Sequence, residues 1–250
     1  MPPPNTFTSD TFGARQPFTS DAFGFNDGRE VGLRDYIFSR PDVETKLRND
    51  PQAVIDAISE YNAKKGMITL GRAKIDKCND LLSKLDPPPK TLVELGCYVG
   101  MSAIGWGDSL KKLNESTSET CKVFTTELDE TIASVARDLI ALAGLDDVVT
   151  VLDGPAAETI RKIKTEGQID TVDVMFFDHW QEAYLPDLKE CENLRVLRKG
   201  TLILADNTDV PGTPDFNQYL EDSNKYHVER YETEAKMAKI VLAATVIEVP

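Results

Sequence analysis

Thr91-Leu92-Val93-Glu94-Leu95-Gly96-Cys97-Tyr98-Val99-Gly100-Met101-Ser102-Ala103 is the stretch of this chain that decides its fold. A short apolar run, TLVEL, stops at a glycine, a second glycine closes a three-residue loop, and the residues from Met101 to Leu113 carry helical spacing. Strand, turn and helix follow one another. The unit recurs downstream: KVFTTE (122–127) leads into a helix from Asp129 to Ala143, and VVTVLDG (148–154) into one ending about Lys164. DVMFFD (173–178) precedes a helix near Tyr184 to Arg195, and TLILAD (201–206) precedes PDFNQYLED (214–222). Alternating strands and helices predict a parallel sheet with helices on both faces, because parallel neighbours require a crossover. The rhythm breaks at YHVERYE (226–232) and KIVLAATVIEV (239–249), two strand-like runs with a short connection, which predict an antiparallel hairpin at one edge. The expected fold is α/β, a mostly parallel, doubly wound, Rossmann-like sheet with a C-terminal antiparallel hairpin.

Upstream of the first strand, Val54, Ile58 and Tyr61 fall at helical spacing before Gly66, and Ile75, Cys78, Leu82 and Leu85 repeat it until Pro87-Pro88-Pro89. Two amphipathic helices therefore lead into the body. The first thirty residues hold a repeat, FTSDTFG (7–13) and FTSDAFG (18–24), and read as a low-complexity tail. The domain reading is a tail over 1–30 and one domain over 31–250, helical over about 31–86 and Rossmann-like from about 90.

Composition narrows the function. The formal net charge of −14 over 250 residues disfavours nucleic acid and anionic membranes as partners. The longest nearly apolar run, Ile240 to Ile247, is far short of the ~20 residues of a membrane-spanning helix. With no basic and apolar leader at the start, the expectation is a cytoplasmic protein, monomer or homodimer. Four cysteines match no zinc spacing, and two histidines exclude a multi-histidine metal site. Any metal must be held mainly by oxygen or thiolate.

In such sheets ligands bind outside the carboxyl ends of the strands. The first strand ends in ELGCYVG (94–100), not the GxGxxG of a dinucleotide site, and the flanking Glu94 would repel a pyrophosphate. A cofactor with a positive centre and no phosphate suits it. With Glu127 ending the next strand to accept from ribose hydroxyls, the set reads as a pocket for S-adenosylmethionine. Asp178 and Asp206-Asn207 end the fourth and fifth strands, two carboxylates and an amide at one sheet edge. That set suits Mg²⁺, which takes oxygen ligands and keeps open positions, although both aspartates could instead cap helices.

At these residues the chain resembles the catechol O-methyltransferase family: VELGCYVGMSA (93–103), FFDHWQEAYLPD (176–187), LRKGTLILADN (197–207) and PGTPDF (211–216) follow its pattern in order, within a resemblance over roughly residues 50–222. The resemblance implies S-adenosylmethionine held among Leu70, Glu94, Gly96, Tyr98, Gly100, Ser102, Glu127, Leu128, Gly154, Ala156 and Asp178, with His179 and Trp180 against the adenine. It implies Asp178, Asp206 and Asn207 as Mg²⁺ ligands. It further implies an acceptor site of Gly66, Ile68, Trp180, Gln181, Asn207, Pro211 and a C-terminal glutamate, for which Glu232 and Glu234 are candidates and Glu234 is chosen.

The departures from that pattern define the specificity question. Gln181 stands where the family has a lysine proton acceptor, and an amide takes no proton at neutral pH. The proton's destination is then an acceptor acidic enough to ionise on the metal, water or His179, or a lysine such as Lys236; the first is preferred. Gly66 replaces a pocket-wall tryptophan, and Ala156 and Ala157 replace a serine and glutamine facing the adenine. The expected activity is Mg²⁺-assisted methyl transfer to a small catechol-like, phenolic or enolic acceptor, with Asp178, His179 and Gln181 at the reacting atoms. A non-catalytic S-adenosylmethionine-binding protein and a metal-independent methyltransferase are the alternatives.

Overall fold

The computed structural model describes residues 26–116 and 119–249; the FTSD repeat lies outside the described residues. Among the described residues, three α-helices precede the sheet: α1 (Arg29–Phe38), α2 (Pro51–Lys65) and α3 (Arg72–Leu82). Then β1 (Thr91–Leu95), α4 (Met101–Leu113), β2 (Lys122–Glu127), α5 (Glu130–Leu142), β3 (Val149–Asp153), α6 (Ala156–Thr165), β4 (Val172–Phe177), α7 (Tyr184–Asn193), β5 (Leu197–Ala205) and α8 (Pro214–Asp222) alternate. Two strands close the chain, β6 (Tyr226–Glu232) and β7 (Ile240–Val246). The sheet has seven strands in the order β3-β2-β1-β4-β5-β7-β6. β1 to β5 pair parallel, and β7 lies antiparallel between β5 and β6.

Local chemistry accounts for the helix ends. Asp50 accepts from the Ala53 N–H and Pro51 opens α2, while Gly66, at φ 67°, closes it by donating to the Asn62 carbonyl. Asp129 caps α5 through the N–H groups of Thr131 and Ile132. The sequence reading gives residues up to 30 to the tail, yet α1 begins at Arg29. Its start is tied to the body: the Asn26 amide donates to Asp129 (2.7 Å), and Tyr98 Oη donates to the buried Glu30 (3.0 Å). Its fully buried apolar residues are a single i, i+4 pair, Leu33 and Ile37, too short a pattern to announce a helix in sequence.

Both sheet faces are covered, so the central strands are apolar at nearly every position. Leu92 and Phe176 face one packed layer with Ile58, Ile104, Trp106 and Leu139, while Val93, Leu95, Met175 and Phe177 face the other with Tyr184, Leu188 and Phe216. Alternate side chains of a strand point to opposite faces, which divides the triplet Met175-Phe176-Phe177 between the layers. All four cysteines are buried and unpaired by disulfides, and His227 lies exposed on β6.

The strand order reverses between β1 and β4, since β2 continues on one side and β5 on the other. There the two strand ends run close together. A Cβ on Gly96, whose φ is 99°, would stand 2.5 Å from the Asp178 carbonyl oxygen and 2.8 Å from the His179 nitrogen. Gly96→Ala is therefore expected to destabilise the protein by about 2–4 kcal/mol in urea unfolding, from left-handed strain and the backbone clash together. A change below about 0.5 kcal/mol would show that the loop absorbs the Cβ.

Candidate active site

Parallel register assembles the site. Leu95 is level with Phe177, and Phe177 with Ala205, so Asp178 and Asp206 leave adjacent strands side by side at the edge where Gly96 turns away. The Asp178 N–H donates to the Leu95 carbonyl (2.9 Å) and the Asp206 N–H to the Phe177 carbonyl (3.0 Å), extending the ladder one residue beyond the strands. Leu95 is also level with Thr126, which brings Glu127 to the same edge.

Around the Gly96–Gly100 loop, Tyr98 adopts φ 48° and its N–H donates to Glu127 Oε2 (2.8 Å), while Glu127 Oε1 accepts from the Asp129 N–H (3.1 Å). Each Glu127 oxygen thus keeps a lone pair for a further donor. Burial pushes the Glu127 carboxyl up to about 7, against the backbone donors that favour its charge. Glu94 is fully buried under the loop; its oxygens accept from Trp106 Nε1 (2.7 Å) and Thr125 Oγ1 (2.5 Å), and burial sets its carboxyl near 7 as well. Two carboxylates without a basic partner at the loop form a recess suited to a cationic, phosphate-free ligand. Ser102 is buried beside Glu94 in the first turn of α4, and Leu70 is buried. Leu128 and Trp180 are exposed, about half and two fifths respectively. Gly154 (φ 121°) and Ala156 open α6 at the end of β3, where the Gly154 N–H donates to the Glu127 carbonyl.

His179 lies against Tyr184, rings stacked at 5.0 Å, and its Nε2 stands 2.9 Å from Asp187 Oδ2. An ionised carboxylate only accepts, so Nε2–H donates to Asp187, and the buried Nδ1 has no hydrogen-bond partner among the described residues. Asp187 was invisible as a site residue in sequence, one acidic position among many on α7. Gln181 opens a single 3-10 turn before α7, with no described partner for its side chain.

The largest surprise is Lys74. From the first turn of α3 its ammonium enters the sheet edge and stands 2.6 Å from both oxygens of Asp206, with both side chains buried. Nothing in the helical pattern of α3 marks it, since it reads as one surface lysine among several. Asp178 keeps part of its surface open, but its carboxylate has no hydrogen-bond or ion-pair partner among the described residues. Burial, and then the Asp206 carboxylate, drive its pKa well above the ordinary value. Burial also raises Asp206, with Lys74 opposing it. Asn207 follows at φ 56°, its amide 3.4 Å from the Val210 carbonyl.

The remaining predicted residues lie on connections between elements. Gly66 and Ile68 lie between α2 and α3, and Pro211 lies between β5 and α8. Glu234 is exposed on the β6–β7 connection, whose base is tied to the same region by the Ile240 N–H donating to Asp209 (3.2 Å). Lys236 is exposed there too. Among the described residues, no three of His, Cys, Asp and Glu gather as a metal cluster, so an ion here would depend on two carboxylates and an amide. The unpartnered Asp178 and the lone pairs left on Asp206 fit such an ion.

Glu127 supplies a pH test. Its folded-state pKa is raised, so between about pH 4.5 and 7 the folded protein holds a proton that the unfolded chain releases, and raising pH through 7 costs stability while creating a full acceptor. S-adenosylmethionine affinity is expected to rise from about pH 6 to about pH 8, and Glu127→Gln to weaken it about tenfold or more and flatten that rise. An unchanged profile in calorimetric titration would remove Glu127 from the cofactor site.

A model described as "Methyltransferase domain" matches residues 93–208. Catechol O-methyltransferase of Mus musculus is 33% identical over 193 residues, 77% of this chain and 69% of that protein. A Mycobacterium tuberculosis protein named as a probable O-methyltransferase is 31% identical, covering 83% of this chain and 84% of its own. Among solved structures, a Bacillus cereus O-methyltransferase in complex with SAH superposes with a TM-score of 0.64 at 19% identity, covering 86% of this chain and 99% of that one. A Streptomyces achromogenes O-methyltransferase in complex with SAM gives 0.64 at 18% identity, covering 78% and 90%. With a strand-end site built on Gly96, Glu127, Asp178 and Asp206 and relatives matched over most of both chains, this protein belongs to the catechol O-methyltransferase family of S-adenosylmethionine-dependent O-methyltransferases.

Proposed function

We propose that this chain transfers a methyl group from S-adenosylmethionine to one oxygen of a small phenolic or enolic acceptor carrying two adjacent oxygens, assisted by Mg²⁺. The observation that carries the reading is the pair Asp178 and Asp206 beside the Gly96–Gly100 loop, one carboxylate paired to Lys74 and the other without a partner. Bound there, S-adenosylmethionine supplies an electrophilic methyl, and Mg²⁺ lowers the pKa of an acceptor hydroxyl. Asp178, Asp206 and Asn207 would hold the ion.

The chain's own contribution is alignment and charge. Glu127 and the Tyr98 turn orient the cofactor's sugar, the buried Glu94 favours a cation above it, and His179, fixed by Asp187, lies at the adenine side. Ile68, Trp180 and Pro211 wall the acceptor, and Gly66 leaves room for a ring larger than a simple catechol. Gln181 removes the basic group from the reacting oxygen. Lys74 does not replace it, because its ammonium is bound to Asp206 and has no lone pair to take a proton. Lys236 is exposed on the β6–β7 connection, and His179 has Nε2 engaged by Asp187 and Nδ1 buried. An acceptor that ionises near neutral pH fits this proton balance.

The test is calorimetric titration with S-adenosylmethionine, then with a catechol and a 1,3-dicarbonyl enol, each with Mg²⁺ and with EDTA. Cofactor binding is expected in both media and acceptor binding only with Mg²⁺; acceptor binding and turnover that survive EDTA would instead establish metal-independent transfer. Gln181→Lys is expected to raise kcat by about a hundredfold on a phenol of ordinary acidity and to change it little on the acidic enol. Equal effects on both would dissociate the base from acceptor choice.

A further inference from the structure

Lys74 is placed against the usual electrostatics of a helix. It occupies the first turn of α3, where the unsatisfied N–H groups make a positive end and where carboxylates, not ammonium groups, are stabilised. No acidic residue shares that turn, and the preceding Gly71 offers no side-chain cap. A buried ion pair is also a weak source of stability, since apolar side chains of similar volume often serve as well. Packing therefore gives no reason for an ammonium at this point.

Its surroundings give one. Asp206 does not need Lys74 to stay in place: its N–H is bound to the Phe177 carbonyl and its own carbonyl accepts from Tyr184 Oη (3.2 Å). What Lys74 changes is charge. Asp178 and Asp206 would bring two negative charges to adjacent strand ends, and Lys74 cancels one of them while engaging an edge of both Asp206 oxygens.

We infer that Lys74 and a divalent cation compete for Asp206, so that Lys74 is a positioning residue that lowers the affinity of the strand-end carboxylates for metal. This rests on the metal-assisted reading above. It implies that the protein alone holds the ion weakly and that the two oxygens of an acceptor are needed to complete its surroundings.

The experiment is calorimetric titration of the full chain with MnCl₂ and with MgCl₂, without cofactor or acceptor, for the parent and for Lys74→Met and Lys74→Gln. The glutamine amide still donates to Asp206, so that variant preserves a hydrogen bond and the fold while removing the charge. Both variants are expected to bind Mn²⁺ and Mg²⁺ at least about tenfold more tightly than the parent, equivalent to about 1.4 kcal/mol. A second measurement uses the unmutated chain: Mg²⁺ addition is expected to shift the Lys74 side-chain nitrogen resonance. Affinity equal to or weaker than the parent's in Lys74→Gln, or no shift at saturating Mg²⁺, overturns the competition and leaves the metal reading intact. No cation binding in any of the three proteins, with S-adenosylmethionine still bound, removes the metal reading and the inference together.

Discussion

Leu95, Phe177 and Ala205 end three neighbouring parallel strands at one level, and the chain can leave that level only because Gly96 has no side chain to strike the Asp178 backbone. Everything chemical in this molecule is hung from that arrangement. Strands about 4.8 Å apart bring residues distant in sequence to within reach of one ion or one ligand. The same level carries the Gly96–Gly100 loop on one side of the switch in strand order and Asp206-Asn207 on the other.

The site is assembled from groups that burial drives toward neutrality. Glu94, Glu127, Asp178 and Asp206 all have raised pKa values, and desolvation is the leading cause in each. Lys74 is a cation drawn into the middle of this set. A recess with more carboxylate than ammonium is built to receive positive charge, which agrees with a sulfonium donor as ligand. Around it, the walls come from loops and the α1 segment, which can vary without disturbing the sheet.

Two neighbours of the predicted residues were not readable from sequence for a common reason. Lys74 and Asp187 each lie on a helix, and both are charged residues of ordinary kind at positions that look solvent-facing. Their roles exist only through their partners: Lys74 meets Asp206 across 132 residues, and Asp187 meets His179 eight residues back, across the turn that leaves β4. Periodicity reports which face of a helix is apolar; it carries no record of which polar group another segment will meet.

The sequence by itself determined the order and nature of the elements, because apolar runs ended by glycine, proline and capping aspartates are local signals: TLVEL before Gly96, Pro51 after Asp50, Asp129 before α5. It also determined which strand ends carry acid, and through motif order the family. Tertiary structure alone decided that Asp206 is paired while the Asp178 carboxylate has no partner among the described residues, that His179 is oriented by Asp187, and that α1 reaches the Gly96–Gly100 loop through Glu30 and Tyr98. The physical reason is that charge and hydrogen-bond partnership depend on distance and burial, and neither is defined until the sheet closes and the helices pack against it.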